Sequence, residues 1–149
     1  MEPLKLVAFE RDDIDVVSAH LQDAVVKAAD IHWRPTEKRL VVGLSRFDWA
    51  AANGAAREFR RCRSVLRFER VLTCKCRNID AAGRDEILNL LAIEFDHGDP
   101  PGGAVTLVFS GGATLRLEVE CLEVELADLG PAWATECRPT HAVDGSQQG

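Results

Sequence analysis

The segment from Ala104 to Leu129, A-V-T-L-V-F-S-G-G-A-T-L-R-L-E-V-E-C-L-E-V-E-L-A-D-L, constrains the fold more than any other. Leu115, Leu117, Val119 and Cys121 alternate with Arg116, Glu118 and Glu120. That period of two belongs to a strand with one buried face. The phase then slips: Leu122, Val124 and Leu126 continue the apolar row while Glu123 and Glu125 take the polar one. Adjacent Cys121 and Leu122 would both point inward, which a flat strand forbids. A β-bulge or sharp bend resolves the conflict and lets one strand turn the corner of a barrel or sandwich. Ser110-Gly111-Gly112 supplies the positive-φ residues of a tight turn, so the segment reads as a hairpin with a long second arm.

An echo lies earlier. Arg39 to Asp48 followed by Ser64 to Arg77 gives a second strand pair, and Leu66-Arg67-Phe68-Glu69 matches Leu115-Arg116-Leu117-Glu118 in type and order. A strand candidate precedes each pair, Ala24 to Trp33 in one half and Ile87 to Asp96 in the other. The element order strand, strand, long strand is thus written twice, over about 24–77 and 87–126.

A chain of 149 residues suits one domain with a single core. We expect that domain to span 1–141, with a disordered tail over 142–149. The net charge of −6 argues against nucleic acid, whose binding needs a surplus of Lys and Arg, and against anionic membrane surfaces. No apolar run approaches the ~20 residues that span a bilayer. The start, M-E-P-L-K-L-V-A-F-E, lacks a basic region ahead of an apolar one, so no signal peptide is expected. Five cysteines (Cys62, Cys74, Cys76, Cys121 and Cys137) then read as reduced thiols of a cytoplasmic protein.

Leu4 to Phe9 is a short strand candidate. Asp12 can cap a helix from Asp13 to about Gln22, whose Ile14, Val17 and Leu21 share one face. Ala24 to Trp33 admits helix or strand; the β-branched Val25-Val26 and the echo favour strand. Arg34 to Lys38 makes a turn around Pro35. Trp49 to Cys62 is a long connection in which Asn53-Gly54 breaks any helix begun by the alanines, leaving this the loop expected to move most. Ile79 to Arg84 is a connector, and Ile87 to Phe95 is apolar at nearly every position, a doubly buried strand or a helix. Asp96 to Gly103 is a turn cluster; Gly130-Pro131 ends the last strand, and Trp133 is expected to anchor the closing segment onto the core.

Candidate chemistry is sparse. Cys74-Lys75-Cys76 puts two thiols on one strand face, but zinc needs four ligands, and buried cysteine packs as a small hydrophobe. His20, His32, His97 and His141 form no metal-ligand spacing, and His97 between Asp96 and Asp99 sits in an exposed turn. Arg57, Arg60, Arg61 and Arg63, extended by Arg67 and Arg70, make a basic run able to bind phosphate or carboxylate, or else a solvated loop that discourages edge pairing. In Arg46-Phe47-Asp48-Trp49 the aromatics suit core anchoring, while Arg46 and Asp48 could line a groove. Neither Gly102-Gly103 nor Gly111-Gly112 belongs to a phosphate-binding loop.

Ser18-Ala19-His20-Leu21-Gln22-Asp23-Ala24, Arg46-Phe47-Asp48-Trp49, Leu66-Arg67-Phe68 and Asp128-Leu129-Gly130 with Trp133 carry a resemblance. From Leu4 to about His141 the chain resembles an uncharacterised alphaproteobacterial family, domain of unknown function family 2948. Ala50 departs from the acidic residue expected after Trp49, and the Trp49–Cys62 loop diverges. The resemblance implies no activity, cofactor or catalytic residue, and singles out Gln22-Asp23 and Arg46 to Trp49 for testing.

The expectation is a mainly antiparallel β domain (α+β) of six or seven strands with one short N-terminal helix. Two similar three-stranded meanders form a sandwich or partly open barrel, of which a pleckstrin-homology-like barrel is one form by fold analogy. Its function is expected to be non-catalytic: a binding or adaptor module that uses a sheet edge or the arginine surface (Arg46, Asp48, Arg57, Arg60, Arg61, Arg63) to engage an acidic protein or anionic ligand. No catalytic residue, metal or cofactor is assigned. The alternative is a small enzyme or metal protein using Cys74, Cys76 and His97, and a third reading is a homo-oligomer.

Overall fold

The glycine turn forms as its sequence requires: Gly111 and Gly112 take φ of 74° and 76°, and Phe109 N–H donates to Ala113 C=O at 2.9 Å. Around it the computed structural model describes residues 3–55, 57–79, 85–130 and 132–135. In chain order they form β1 (Lys5–Ala8), α1 (Arg11–His20), β2 (Ala24–Lys27), β3 (Ile31–Arg34), β4 (Arg39–Phe47) and the single turn α2 (Trp49–Ala52). There follow β5 (Arg60–Phe68), β6 (Val71–Arg77), β7 (Ile87–His97), β8 (Gly103–Phe109), β9 (Thr114–Val119), β10 (Val124–Asp128) and β11 (Trp133–Ala134). The expected tail, connector residues 80–84, Cys137 and His141 lie outside the described residues.

All strands join one antiparallel sheet, ordered β1-β10-β5-β4-β2-β7-β8-β9-β6, with β3 also on β4 and β11 on β5. Each half of the chain is a meander, β3-β4-β5 and β7-β8-β9. The ambiguous run at Ile87 is a strand, because β2 and β8 flank it and bury Leu88, Leu90, Ile93 and Phe95.

The phase slip is a corner. β9 stops at Val119 and β10 starts at Val124; Leu122 is buried while Cys121 stays only partly so. The long strand expected over Ser64 to Arg77 begins earlier, at Arg60, and bends at Glu69-Arg70, where Arg70 takes φ of 59°. The two bends lie side by side: Glu69 N–H donates to Glu123 C=O and Glu120 N–H to Arg70 C=O, both at 2.9 Å. Two long strands therefore turn together, β5 with β10 before the corner and β6 with β9 beyond it.

That shared bend curls the sheet over a continuous core including Leu40, Val42, Leu66, Phe68, Leu107, Leu117 and Leu126. Helix α1 contributes Ile14, Val17 and Leu21, as the helical spacing requires. Its N-cap is Glu10, not Asp12: Asp13 Oδ2 accepts the N–H groups of Phe9 and Glu10 at 3.0 and 3.1 Å. A carboxylate three residues past the cap reaches back to it, which the side chain of Asp12 is not placed to do. The helix covers the edge that β7 exposes past the end of β2, where Ile93 N–H donates to Ser18 Oγ at 3.0 Å.

Other expectations need correction. The strand expected over Ala24 to Trp33 is broken by a 3-10 turn at Ala28–Asp30, which shifts the chain from one end of β4 to the other. The Trp49–Cys62 connection is shorter than expected, since β5 starts at Arg60; its helical turn ends at Asn53, as the Asn-Gly pair requires. Trp133 is no core anchor. It pairs with Arg61 through the backbone of β11 and leaves its side chain 44% exposed.

Phe68 is fully buried and pairs with Leu40 on one side and Val124 on the other, at the brink of the corner. Phe68→Ala is expected to lower the unfolding free energy by about 3–5 kcal/mol in urea titration.

Candidate functional site

The residues singled out in the sequence gather at the end of the curled sheet away from the corner. Strand β4 alternates inward at Leu40, Val42 and Leu44, so Arg46 also points inward and is buried. Its neighbours on that face are Cys62 and Ser64 of β5 and Asp128 of β10. Arg46 donates from Nε and Nη2 to the two Asp128 oxygens, each at 2.8 Å, with side chains only 3% and 1% exposed. Ser64 Oγ donates to Asp128 Oδ1 at 2.7 Å and Leu4 N–H to Oδ2 at 2.8 Å. Cys62 Sγ donates to Gly130 C=O at 3.3 Å.

This cluster is electrically balanced. Burial pushes the Asp128 carboxyl up, but hydrogen bonds from Arg46, Ser64 and Leu4 N–H, with the Arg46 charge, hold it down to about 2. Burial works against the Arg46 charge too, and the bonds to Asp128 outweigh it, so Arg46 stays above its ordinary value. His20 is lowered by burial and then by Arg46, against the pull of Asp48 and Asp128. The Cys62 thiol is raised, by burial first, and stays protonated.

Neither Arg46 nor Asp48 lines a groove, because both are buried. Asp48 caps α2 by accepting Ala51 N–H at 3.0 Å and faces Arg60 at 3.6 Å. Phe47 is fully buried and meets Trp49 edge-on at 4.7 Å, and Trp49 Nε1–H donates to Gln22 C=O at 2.9 Å. Arg61 donates to Ser45 C=O at 3.1 Å and lies over the Phe47 ring, its pKa lowered by burial against the pull of Asp23. The recognisable motifs thus touch one another.

The arginine run is not a solvated loop. Arg60, Arg61 and Arg63 belong to β5, and Arg57, with φ of 49°, precedes it. Carboxylates of this same chain neutralise most of the run: Glu58 and Asp48 at Arg60, Asp30 at Arg63, Glu69 and Glu125 at Arg67, Glu123 at Arg70.

A different concavity opens where the sheet fails to close. β3 and β6 each have one strand neighbour among the described residues, and they face one another across a cleft of about 660 Å³. Val71 N–H bonds Lys38 C=O at 2.9 Å beside one end, and Ala28 N–H bonds Glu86 C=O at 2.8 Å beside the other. Registers set its walls. Ile31 and Trp33 pair with buried Val42 and Leu40, and Cys74 and Cys76 pair with buried Leu117 and Leu115, so all four face inward. His32 and Arg34 on β3, and Lys75 and Arg77 on β6, alternate outward and are exposed.

Of the two thiols expected in the core, Cys74 packs half-buried against it, while Cys76 is exposed because β6 runs past the open seam. Burial pushes the Cys74 thiol up to about 11, which leaves it protonated and a weak nucleophile at neutral pH. His97 lies elsewhere, exposed at the end of β7 rather than in the expected turn; it meets the Phe95 ring and shares a separate depression with Asp96, Asp99, Arg116, Glu118 and Glu120. Cys74, Cys76 and His97 are not brought together. Among the described residues no group of three His, Cys, Asp or Glu could hold a metal ion, and no helix is long and apolar enough to cross a membrane.

Lys75, Arg77 and Arg116 differ from the arginine run. Lys75 sits opposite Arg116 on the outer face, and no carboxylate among the described residues lies within ion-pair distance of any of the three. Nothing in their spacing separated them from the run; the signal was the absence of a carboxylate across the strand, which needs the register.

A depressed carboxyl pKa gives stability that is present above the ordinary value of 3.8 and lost as pH falls toward about 2. Acid unfolding should therefore steepen in that window. Asp128→Asn is expected to flatten this limb and to cost about 3–5 kcal/mol at pH 7, because Arg46 is left buried and uncompensated; denaturant titrations across pH read both.

No curated protein and no solved structure matches the chain. A family model does match, over residues 4–141, and the chain belongs to the family described as Protein of unknown function (DUF2948).

Proposed function

We propose that the domain is a non-catalytic binding module for an acidic protein partner, engaged at the open edge formed by β6 and its neighbours. One observation carries this reading: in a chain of net charge −6, Lys75, Arg77 and Arg116 are exposed cations on β6 and β9 that form no ion pair with a carboxylate among the described residues. Like charges directly opposite one another in a ladder are unfavourable. A complementary anionic surface relieves that repulsion and steers association.

The arginine run supports the reading less, since Arg60, Arg63, Arg67 and Arg70 already face internal carboxylates. Catalysis gains no support from the protonated Cys74 or from His97, which lies in a different depression against the Phe95 ring. A partner of opposite charge also suits the acidic chain, because the patch is a local exception on a surface that otherwise repels acids.

Poly-L-glutamate is the probe. Binding measured by calorimetry should weaken with salt, as exposed charges are screened within a Debye length of ~10 Å at 0.1 M. The double reversal Lys75→Glu with Arg116→Glu should weaken it by roughly tenfold or more, while Arg60→Glu with Arg63→Glu leaves it within about twofold. No binding at low salt, or loss with the second pair and not the first, would overturn the proposal.

A further inference from the structure

We infer that Cys74 and Cys76 form a two-thiolate site for one soft monovalent metal ion of the Cu(I) type, held on the inner face of β6. This site is independent of the proposed acidic partner, because Lys75 and Arg77 occupy the opposite face of the strand. Spacing is the first support. The register of β6 on β9 runs unbroken from Thr73 to Arg77, and Cys74 and Cys76 pair with buried Leu117 and Leu115. Two thiols therefore leave one face of a regular strand, about 6.5 Å apart at Cα. A disulfide needs Cβ atoms only about 3.5–4.5 Å apart, and parallel Cα–Cβ bonds keep these near the Cα spacing. The strand thus holds the pair open as thiols. A bridging metal lengthens the span by two metal–sulfur bonds of ~2.3 Å each, which two side chains leaning toward each other satisfy without moving the backbone.

Donor chemistry is the second support. Around the two thiols the cleft is walled by Ile31, Trp33, Ile79 and Leu115, and no carboxylate is among its lining residues. His32 alternates outward from β3, and among the described residues no third His, Cys, Asp or Glu joins the pair. Residues 80–84, Asp-Ala-Ala-Gly-Arg, contain no thiol, thioether or imidazole. Structural zinc takes four ligands, and calcium and magnesium take oxygen, so the pair serves none of them. Soft thiolates select Cu(I), whose filled d shell accepts two donors in a line. Two sulfurs against an apolar wall meet that requirement.

Exposure is the third. Cys74 packs half-buried against the core and Cys76 is exposed. One sulfur anchors the ion against the wall and the other is reached from solvent, so the ion enters without any opening of the sheet. Burial pushes the Cys74 thiol up to about 11, so the ion must displace its proton. One cation replaces two protons, and the complex carries a single negative charge where two free thiolates would carry two. Acids stand near the cleft as well as bases: Asp30 precedes Ile31, Glu37 faces Arg34 at 3.6 Å, and Asp85-Glu86 lies beside Ala28. The net field therefore does not choose the ion; the two sulfurs do.

The full chain, reduced and kept under argon, is titrated against the coloured Cu(I)–bicinchoninate complex. One Cu(I) should pass to each chain, and X-ray absorption should show two sulfur neighbours with no nitrogen or oxygen. Cys76→Ser, at an exposed position that the fold does not need, should weaken binding about 10²-fold or more, the gain expected from linking two donors. Cys74→Ser should do the same, while Cys62→Ser and Cys121→Ser leave binding unchanged. No transfer of Cu(I), transfer that survives Cys76→Ser, or a shell of three or more sulfurs would overturn the site. An equal loss in Cys121→Ser would overturn it too, by placing the ion on thiols without regard to their spacing.

Discussion

Two long strands that bend at the same place set the shape of this molecule. β5-β6 and β9-β10 turn together, held by the backbone bonds between Glu69 and Glu123 and between Arg70 and Glu120. A bend in one strand alone would leave unpaired backbone groups at the corner, and buried peptide groups left unpaired are costly. Paired bends avoid that cost and carry the ladder around the core. The curl then brings β6 opposite β3 without joining them, so the seam follows from the corner.

At the far end, closure is polar. Alternation along β4 sends Arg46 inward, where no solvent is available to it, and only a carboxylate with its own donors can hold such a charge. Asp128 fills that role, itself bonded by Ser64 and Leu4 N–H. The arrangement pins β1, β4, β5 and β10 to one another. Internal ion pairs occupy Arg46, Arg60, Arg63, Arg67 and Arg70, whereas Lys75 and Arg77 on β6 and Arg116 on β9 have no carboxylate partner among the described residues.

Several features were legible in the residues. The phase slip at Cys121-Leu122 marked the corner, Gly111-Gly112 the turn, and Ile14, Val17 and Leu21 the buried helix face. Each of these signals is local, because alternation and turn chemistry act over a few residues. The bend at Glu69-Arg70 was missed because its phase slip is undone at once: buried Val71 stands three residues after Phe68, and the bulge between Val71 and Thr73 returns Cys74 and Cys76 to the row that Leu66 and Phe68 began. The candidate site was less legible. Arg60 and Arg63 looked like a basic patch because Asp48 and Asp30 stand far from them in sequence, and Cys76 looked like core because nothing local shows that its strand borders an opening.

By itself, then, the sequence determined a β domain of two meanders with a corner, a glycine turn and one amphipathic helix. Those properties depend on spacing between near neighbours. Only the tertiary structure decided which arginines are neutralised, where the sheet stays open and which cations remain unmatched. The reason is range. Arg46 meets Asp128 across 82 positions, and the cleft joins residues from Ala28 to Leu115. Contacts of that separation follow from how the strands are ordered and registered, which no window of sequence contains.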